Sequence, residues 1–411
     1  MSLQCSTLPH GRDFAQESPP SRIRFHDLLR QHAPAYLKAY GRSMPARQRE
    51  VLNTILRCRT AASGGRVFRC QDCGHVHFAF HSCNNRHCPL CGQVDGDEWL
   101  ARQRPRLLLP VPYFLITFTV PEFFRAWIRS HPKEGYDLLF AASSQALQDL
   151  GQDPDRLGAQ LGMLGILQTW TRTLIFHPHI HYLVPAGGLG LDQREWVSSR
   201  QPGYLLNEFA LGDRCRNLFK KHLAKLYPAL LAAMPHSVWE QRWVTDCSPV
   251  GSGEAALTYL SRYVFKTATG NCWLDLLPSG KILWNYRDSK TGLDKNIPLD
   301  PRELLRRFFQ HVLPRGFTRV RYFGWFHPAA RQRLNRVRAL LQQTPVLTPL
   351  ETLVWKQEHP HPSLELSGPA EPVQELGSAP ACPHCQKPML LVAIWRAGNR
   401  VPALADPRGP P

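Results

Sequence analysis

Apolar positions recur along this chain with two alternating periods. Between residues 23 and 59 the period is helical, with Ile23, Leu28, Leu29, Tyr36, Leu37 and Tyr40, then Val51, Leu52, Ile55 and Leu56 after Pro45. Gly64-Gly65 closes that unit. Residues 99–106 read as a basic helix or linker, 113–120 as a strand closed by Pro121, and 123–150 as two helices. An apolar run at 161–170 leads into 173–188, rich in strand formers and ended by a Gly187-Gly188 turn. Helix pairs are expected over 205–234, a strand over 239–244, a helix from Glu254 and strands again from Lys281. Residues 345–379, rich in Pro, Glu and Ser, read as a linker, and residues 1–22 as disordered.

Side chains alternate across a strand, so His177, His179 and His181 share one face while Ile180 and Tyr182 take the other. Three imidazoles on one face make a poor core and a good metal site. The competing reading is a solvated sheet face that happens to carry histidines. On the helix from Glu254, Tyr259 and Tyr263 stand four apart and share a face, with Arg262 and Lys266 as a flanking cationic pair. By spacing alone, such a tyrosine pair is more often core packing than chemistry.

The cysteines change the picture of residues 58–91. Cys70 and Cys73 make one C-x-x-C and Cys88 and Cys91 another, each followed by a glycine, Gly74 or Gly92. Two such turns facing each other predict one tetrahedral structural zinc ribbon. Zinc would contribute on the order of 10 kcal/mol to folding a segment with little core of its own. Cys83 and His87 are open alternatives for one of the four places or for a second site. Asn84, Asn85 and Arg86 on the knuckle are either DNA contacts or a solvated loop. Cys382 and Cys385 form a half site whose partners could be Cys5, Cys58 or another chain, and it stays unassigned.

Composition narrows the partners. The 411 residues allow two or three domains, and 43% hydrophobic content supports ordinary cores. A formal charge of +18 and a pI near 9.7 favour a polyanion, nucleic acid ahead of an acidic membrane. The polar first residues do not read as a signal peptide, and the stretch 107–120 is broken by Pro110 and Pro112. The expectation is an intracellular protein, with its cysteines as metal ligands before disulfides. Residues 301–340 hold many arginines, Arg306, Arg307, Arg319 and Arg321 among them, against the single acid Glu303. With Tyr322, Phe323, Trp325 and Phe326 threaded through, they predict a single-stranded nucleic-acid surface rather than a solvated helix face with core aromatics.

Together the runs C-R-T at 58–60, S-C-N-N-R-H-C-P-L-C at 82–91, H-P-H-I-H-Y-L-V-P-A-G-G at 177–188, Y-L-S-R-Y at 259–263 and Y-R-D-S-K-T-G at 286–292 carry a resemblance. The chain resembles the rolling-circle HUH transposases with two tyrosines, of the insertion sequence ninety-one type, over about residues 25–340. The resemblance implies an α+β fold. A helical and zinc-ribbon DNA-binding domain (23–105) precedes an HUH nuclease domain (106–343), a central antiparallel sheet flanked by helices, with a linker and tail at 344–411. It implies single-strand nicking and rejoining through 5′-phosphotyrosine links on Tyr263 and Tyr259, with Tyr263 needed for any nicking and Tyr259 for full strand transfer. His179 and His181 would hold Mg²⁺ or Mn²⁺, with Gln168 as third ligand and His177 its competitor, while Zn²⁺ is structural. Two positions depart from the family: Gln168 stands where many members have histidine, and Leu115 replaces another frequent histidine. Implied partners are single-stranded DNA, the element ends, target DNA and host replication factors, without a membrane, at the nucleoid of a bacterial cytoplasm. The alternatives are a replication initiator or relaxase with the same chemistry, a non-catalytic zinc-ribbon DNA-binding protein, and a phosphodiesterase using water.

Overall fold

A computed structural model of the protein describes residues 21–91, 95–265, 268–269, 272–288, 291–342 and 380–399, apart from the side chains of 95–98, 262, 263 and 265. The described helices are α1 (Phe25–Tyr40), α2 (Ala46–Arg57), α3 (Asp95–Leu107), α4 (Glu122–Ser130), α5 (Pro132–Gln152), α6 (Glu208–Leu226), α7 (Pro228–Ala232), α8 (Ser237–Glu240), α9 (Glu254–Phe265), α10 (Pro301–Phe309) and α11 (Arg331–Leu340). The first eight strands are β1 (Ser21–Arg24), β2 (Gly64–Cys70), β3 (Val76–Phe80), β4 (Tyr113–Thr119), β5 (Ala159–Gln160), β6 (Gly162–Trp170), β7 (Phe176–Pro185) and β8 (Gly187–Gly190). Then come β9 (Trp196–Ser198), β10 (Thr245–Pro249), β11 (Trp273–Leu276), β12 (Ile282–Arg287), β13 (Asp294–Leu299), β14 (Val320–Gly324) and β15 (Met389–Arg396). The fold is α+β with antiparallel sheets, and its contacts divide it into two compact units.

The larger unit, Met1–Gln48 with Gly92–Val346, is organised on a five-stranded antiparallel sheet in the order β10-β4-β7-β6-β14. β7 is its middle strand, and both of its faces are covered. Ile180, Tyr182 and Val184 point into the main apolar core, which they share with Phe140, Leu147 and Phe219. There the Tyr182 hydroxyl meets the Ser143 hydroxyl of α5 at 2.8 Å, which satisfies a polar group that burial would otherwise penalise. The opposite face carries the histidines. Smaller sheets, β1-β11-β12-β13 and β5-β8-β9, complete this unit. The second unit, Arg49–Cys91 with Leu347–Pro411, contains the three-stranded sheet β15-β2-β3.

Several sequence boundaries move. The expected break between 23–105 and 106–343 does not follow the contacts, because Phe25 and Tyr36 of α1 pack on Phe308 and Phe309 of α10. The tail set apart at 344–411 supplies β15, which pairs along β2 from Met389 opposite Cys70 to Arg396 opposite Gly64. Ser21 and Arg22, placed in the disordered 1–22, belong to β1 and pair with Leu276 and Asp275. The strand expected over 239–244 is instead the end of α8 and a loop. Aromatic packing wins there: Trp239 and Trp243 stack on each other and meet Phe124 edge-on, and the strand starts at Thr245. The rest of residues 1–22 and the linker 345–379 lie outside the described residues. Among those described, no helix is long and apolar enough to cross a membrane.

Gly324 ends β14 at φ 58, and a Cβ there would meet the Leu161 carbonyl oxygen at 1.7 Å. Left-handed backbone and overpacking together make Gly324→Ala cost about 3 kcal/mol or more. A thermal melt should show this as a clearly lowered midpoint, whereas an unchanged midpoint would mean that the β14 edge relaxes freely.

Candidate functional site

Three strands and a helix assemble the candidate site. β6 and β7 pair with Gln168 opposite His179 and Ile166 opposite His181, so the period of two brings Gln168 onto the histidine face. On the other side β4 sets Thr119 opposite His179 and Thr117 opposite His181. Gln168, His179 and His181 are each less than a tenth exposed. The Gln168 amide nitrogen donates to the Trp170 carbonyl at 3.2 Å, which turns its Oε1 toward His181 Nε2, 3.1 Å away. Thr117 Oγ1 lies 2.9 Å from His181 Nδ1. Gln168 Oε1 can only accept, so in this contact Nε2 carries the ring proton and Nδ1 accepts from Thr117. Moving the proton to Nδ1, with Thr117 as acceptor, would free the Nε2 lone pair for an ion beside the Gln168 oxygen. His179 Nδ1 donates to the His177 carbonyl at 2.7 Å, which leaves its Nε2 as the unprotonated nitrogen.

Gln168, His179 and His181 line a cavity of about 880 Å³, together with His177, Leu115, Arg172, Arg287 and Tyr259. Gly251 and Gly253 precede α9, whose Leu257 and Leu260 are buried while Tyr259 turns toward the histidines. Its ring centroid is 6.3 Å from that of His181, and His179 is 4.8 Å from His181. The imidazoles near 180 and a phenol near 260 therefore converge. Burial pushes His181 down to about 4 and His179 well below its ordinary value, with neighbouring His181 adding to the effect. His177 is lowered too, by burial and then by Arg125. All three are neutral at pH 7, the state in which imidazole can act as a ligand. Two buried imidazoles and an oriented amide oxygen on one face form a donor set that fits a divalent cation.

The side chains of Tyr263 and Arg262, and all of Lys266, lie outside the described residues, although Tyr263 falls within α9. The arginines expected to bind phosphates are placed differently. Arg306 and Arg307 both bind Glu303, at 2.6 and 2.8 Å, and Arg307 also donates to the Thr173 carbonyl. Arg321 pairs with Asp137 and lies over the Phe140 ring, while Arg319, 6% exposed, lies over Trp170. Burial withdraws Arg319 from the expected surface. Trp325 and Phe326, read as stacking aromatics, are fully buried core residues instead. The sequence reading missed Thr117 and Arg172, whose roles arise only from strand pairing and the cavity wall. It noted Arg287 only as part of a motif.

The loop joining β6 to β7 is held by three side chains. Trp284 donates to the Arg172 carbonyl, Arg307 to that of Thr173 and His311 to that of Leu174. Leu174 sits at φ 58, a conformation that a non-glycine residue adopts only under such constraint.

The cysteines form two clusters rather than one. Cys70, Cys73, Cys88 and Cys91 do not share a cage: Cys88 and Cys91 join Cys83 and Cys58, while Cys70 and Cys73 join Cys382 and Cys385. In each group the four sulfurs lie within 4.8 Å of one another. Sulfur separations in the first are 3.5 Å for Cys58 and Cys91 and 3.8 Å for Cys83 and Cys91. Hydrogen bonding to Cys83 and then Cys88 holds the Cys58 thiol well below its usual value, and Cys83 and Cys88 are pushed up in turn. His87 is buried but is not one of the four. The reason for the correction is topological: β3 and its flanking turns carry Cys83 to Cys91 toward Cys58 at the end of α2. Cys58 and the tail pair lie too far along the chain for spacing to join them to their partners.

Comparison with known proteins gives this arrangement a class. Residues 162–333 match the family described as "Putative transposase", and residues 28–120 match the "Transposase zinc-binding domain". The chain is 35% identical over 388 residues to "Putative transposase y4qJ" of Sinorhizobium fredii, covering 90% of this chain and 94% of that protein. It is 28% identical over 328 residues to the transposase for insertion sequence element IS801 of Pseudomonas savastanoi pv. phaseolicola, covering 73% and 76%. No solved structure matches. The protein is a transposase, a class of nucleic-acid-processing enzyme. Within that class the chain belongs to the insertion sequence ninety-one type, with an amino-terminal zinc-binding domain.

His311 supplies a pH test of the loop. Burial pushes it down to about 3, while in the unfolded chain it protonates near the ordinary 6.5. Between those values the unfolded state binds a proton that the folded state does not, so stability falls as pH drops through this window. Denaturant midpoints taken from pH 7.5 to pH 4.5 should decline, and His311→Gln should decline less steeply. Equal slopes would separate His311 from the acid sensitivity.

Proposed function

We propose that this transposase nicks and rejoins single-stranded DNA through a 5′-phosphotyrosine link, moving its element by a rolling-circle type of transfer. The observation that carries the reading is the Tyr259 ring 6.3 Å from His181, across a cavity that also presents Gln168 and His179. Arg172 and Arg287, both exposed on the cavity wall, would draw the phosphodiester backbone in. Two imidazole nitrogens and an amide oxygen suit Mn²⁺ or Mg²⁺, and such an ion, when bound, offsets charge developing on the scissile phosphate.

The residues of the chain do the rest. Thr117 and the His177 carbonyl fix the two histidine rings, and Trp170 fixes the amide, so the three donors need no rearrangement. The tyrosine hydroxyl loses its proton, its oxygen bonds to phosphorus, and the bond from phosphorus to the 3′ oxygen breaks. That oxygen takes up a proton and leaves as a free 3′-hydroxyl. The ester retains the bond energy, so a 3′-hydroxyl elsewhere can attack it and release the tyrosine without ATP. Tyr259 and Tyr263, one helical turn apart on α9, provide two nucleophiles, so one can act while the link on the other persists. The place of Tyr259 beside His181 supports it as one of the two nucleophiles. The cluster of Cys58, Cys83, Cys88 and Cys91 holds the structural zinc of the DNA-binding part. The reaction takes place at element ends and target DNA inside the bacterial cell, alongside host replication factors.

Labelled single-stranded element-end DNA incubated with the protein and Mn²⁺ should yield a covalent adduct that survives denaturation. The double variant Tyr259→Phe, Tyr263→Phe should yield none, and Tyr259→Phe alone should spare a first cut but block full strand transfer. An adduct on the double variant, or cleavage without any adduct, would sink the mechanism. Thr117→Val should weaken Mn²⁺ binding about 10- to 100-fold by loosening the His181 ring. Titration calorimetry that finds wild-type affinity would remove Thr117 from that role.

A further inference from the structure

The strongest unassigned feature of the molecule joins two stretches that lie 312 residues apart in the chain. Cys70, Gln71, Asp72 and Cys73 make one turn, and Cys382, Pro383, His384 and Cys385 make another. The two turns are built alike. The Cys70 N–H donates to the His75 carbonyl at 2.9 Å, and the Cys382 N–H donates to the Lys387 carbonyl at 2.8 Å. The Gly74 N–H returns to the Cys70 carbonyl, and the Gln386 N–H returns to the Cys382 carbonyl. The residue after each second cysteine is left-handed, Gly74 at φ 71 and Gln386 at φ 61. A glutamine accepts that conformation only where something repays it.

The turns face each other, with the His75 and His384 rings stacked at 4.3 Å. Sulfur separations are 3.4 Å for Cys70 and Cys385, 3.5 Å for Cys73 and Cys382, and 3.7 Å for Cys73 and Cys385. Disulfide sulfurs stand about 2.05 Å apart, well short of these values. A zinc tetrahedron with bonds of about 2.3 Å has edges of about 3.8 Å, close to what is found. The core beneath is small: Phe68, Cys70, Cys382 and Met389 are its buried members. Apolar burial of that extent is a weak fastening for β15, and a metal is the usual remedy in small domains.

We propose that Cys70, Cys73, Cys382 and Cys385 form a second structural zinc site, separate from that of Cys58, Cys83, Cys88 and Cys91, which clamps the carboxy-terminal strand β15 onto β2. Each thiol gives up its proton on binding, so the site fills at neutral pH and empties in acid. Cys70 and Cys73 lie within the stretch 28–120 that matches the zinc-binding family, and the other two ligands, Cys382 and Cys385, come from outside it. The site is independent of the strand-transfer reading, because its test counts metal rather than nicks.

Metal analysis of the full-length protein, by native mass spectrometry and elemental zinc, should find two zinc ions per chain. The variant Cys382→Ser, Cys385→Ser should find one. One ion in the wild type, or two in the variant, overturns the proposal. Should the variant misfold, the wild type alone decides through thiol alkylation mapped by mass spectrometry. With zinc bound, Cys70, Cys73, Cys382 and Cys385 should resist iodoacetamide, and all four should react once a chelator removes the metal. Ready labelling of Cys382 and Cys385 in the loaded protein, or a chelator-resistant disulfide between the two turns, counts against it.

Discussion

The antiparallel pairing of β6 with β7 is the constraint from which the site follows. It sets Gln168 opposite His179 and leaves His181 two residues on, so three donors occupy one face without any loop having to bring them there. A slip of one residue would turn the histidines into the apolar core and Tyr182 toward the cavity. Tyr182 and its partner Ser143 hold the register from the other side, because the tyrosine hydroxyl finds its hydrogen bond only there. Covering both faces of β7 keeps the imidazoles neutral. The same burial that costs solvation thus holds them in the neutral form, the one in which an imidazole can act as a ligand.

That pairing is itself braced. The loop between the two strands turns through Leu174 in a left-handed conformation, and Trp284, Arg307 and His311 each hold one of its carbonyls. Residues from 284 to 311 therefore act on a hairpin more than a hundred positions earlier in the chain. Arg307 and His311 belong to residues 301–340, whose arginines and aromatics read in isolation as a nucleic-acid surface. In the fold, Arg307 and His311 keep the two strands of the histidine face in place.

How much was legible depends on the distance over which a signal acts. The histidine face, the tyrosine spacing on α9 and the two helices of residues 123–150 follow from local periodicity, and the structure carries them on β7, α9, α4 and α5. Gln168 was reachable through a family pattern, but its opposition to His179 was not. Local spacing misled where tertiary contacts outweighed it. The adjacent C-x-x-C pairs looked like one cage, yet each took its partners from elsewhere, one from Cys83 and from Cys58 just past α2, the other from Cys382 and Cys385. Trp239 and Trp243 have strand propensity, but edge-on packing against Phe124 claimed them.

The sequence by itself determined the chemistry available: imidazoles on alternate positions, phenols one helical turn apart, paired thiols and an excess of positive charge. These are properties of residue type and short-range period, and no tertiary contact alters them. Only the tertiary structure decided which groups meet. Strand register set Gln168 and Thr117 beside His181, burial removed Arg319 from solvent, and β15 brought Cys382 and Cys385 to Cys70 and Cys73. Such meetings depend on contacts between residues far apart in the chain, and spacing along it carries no record of them.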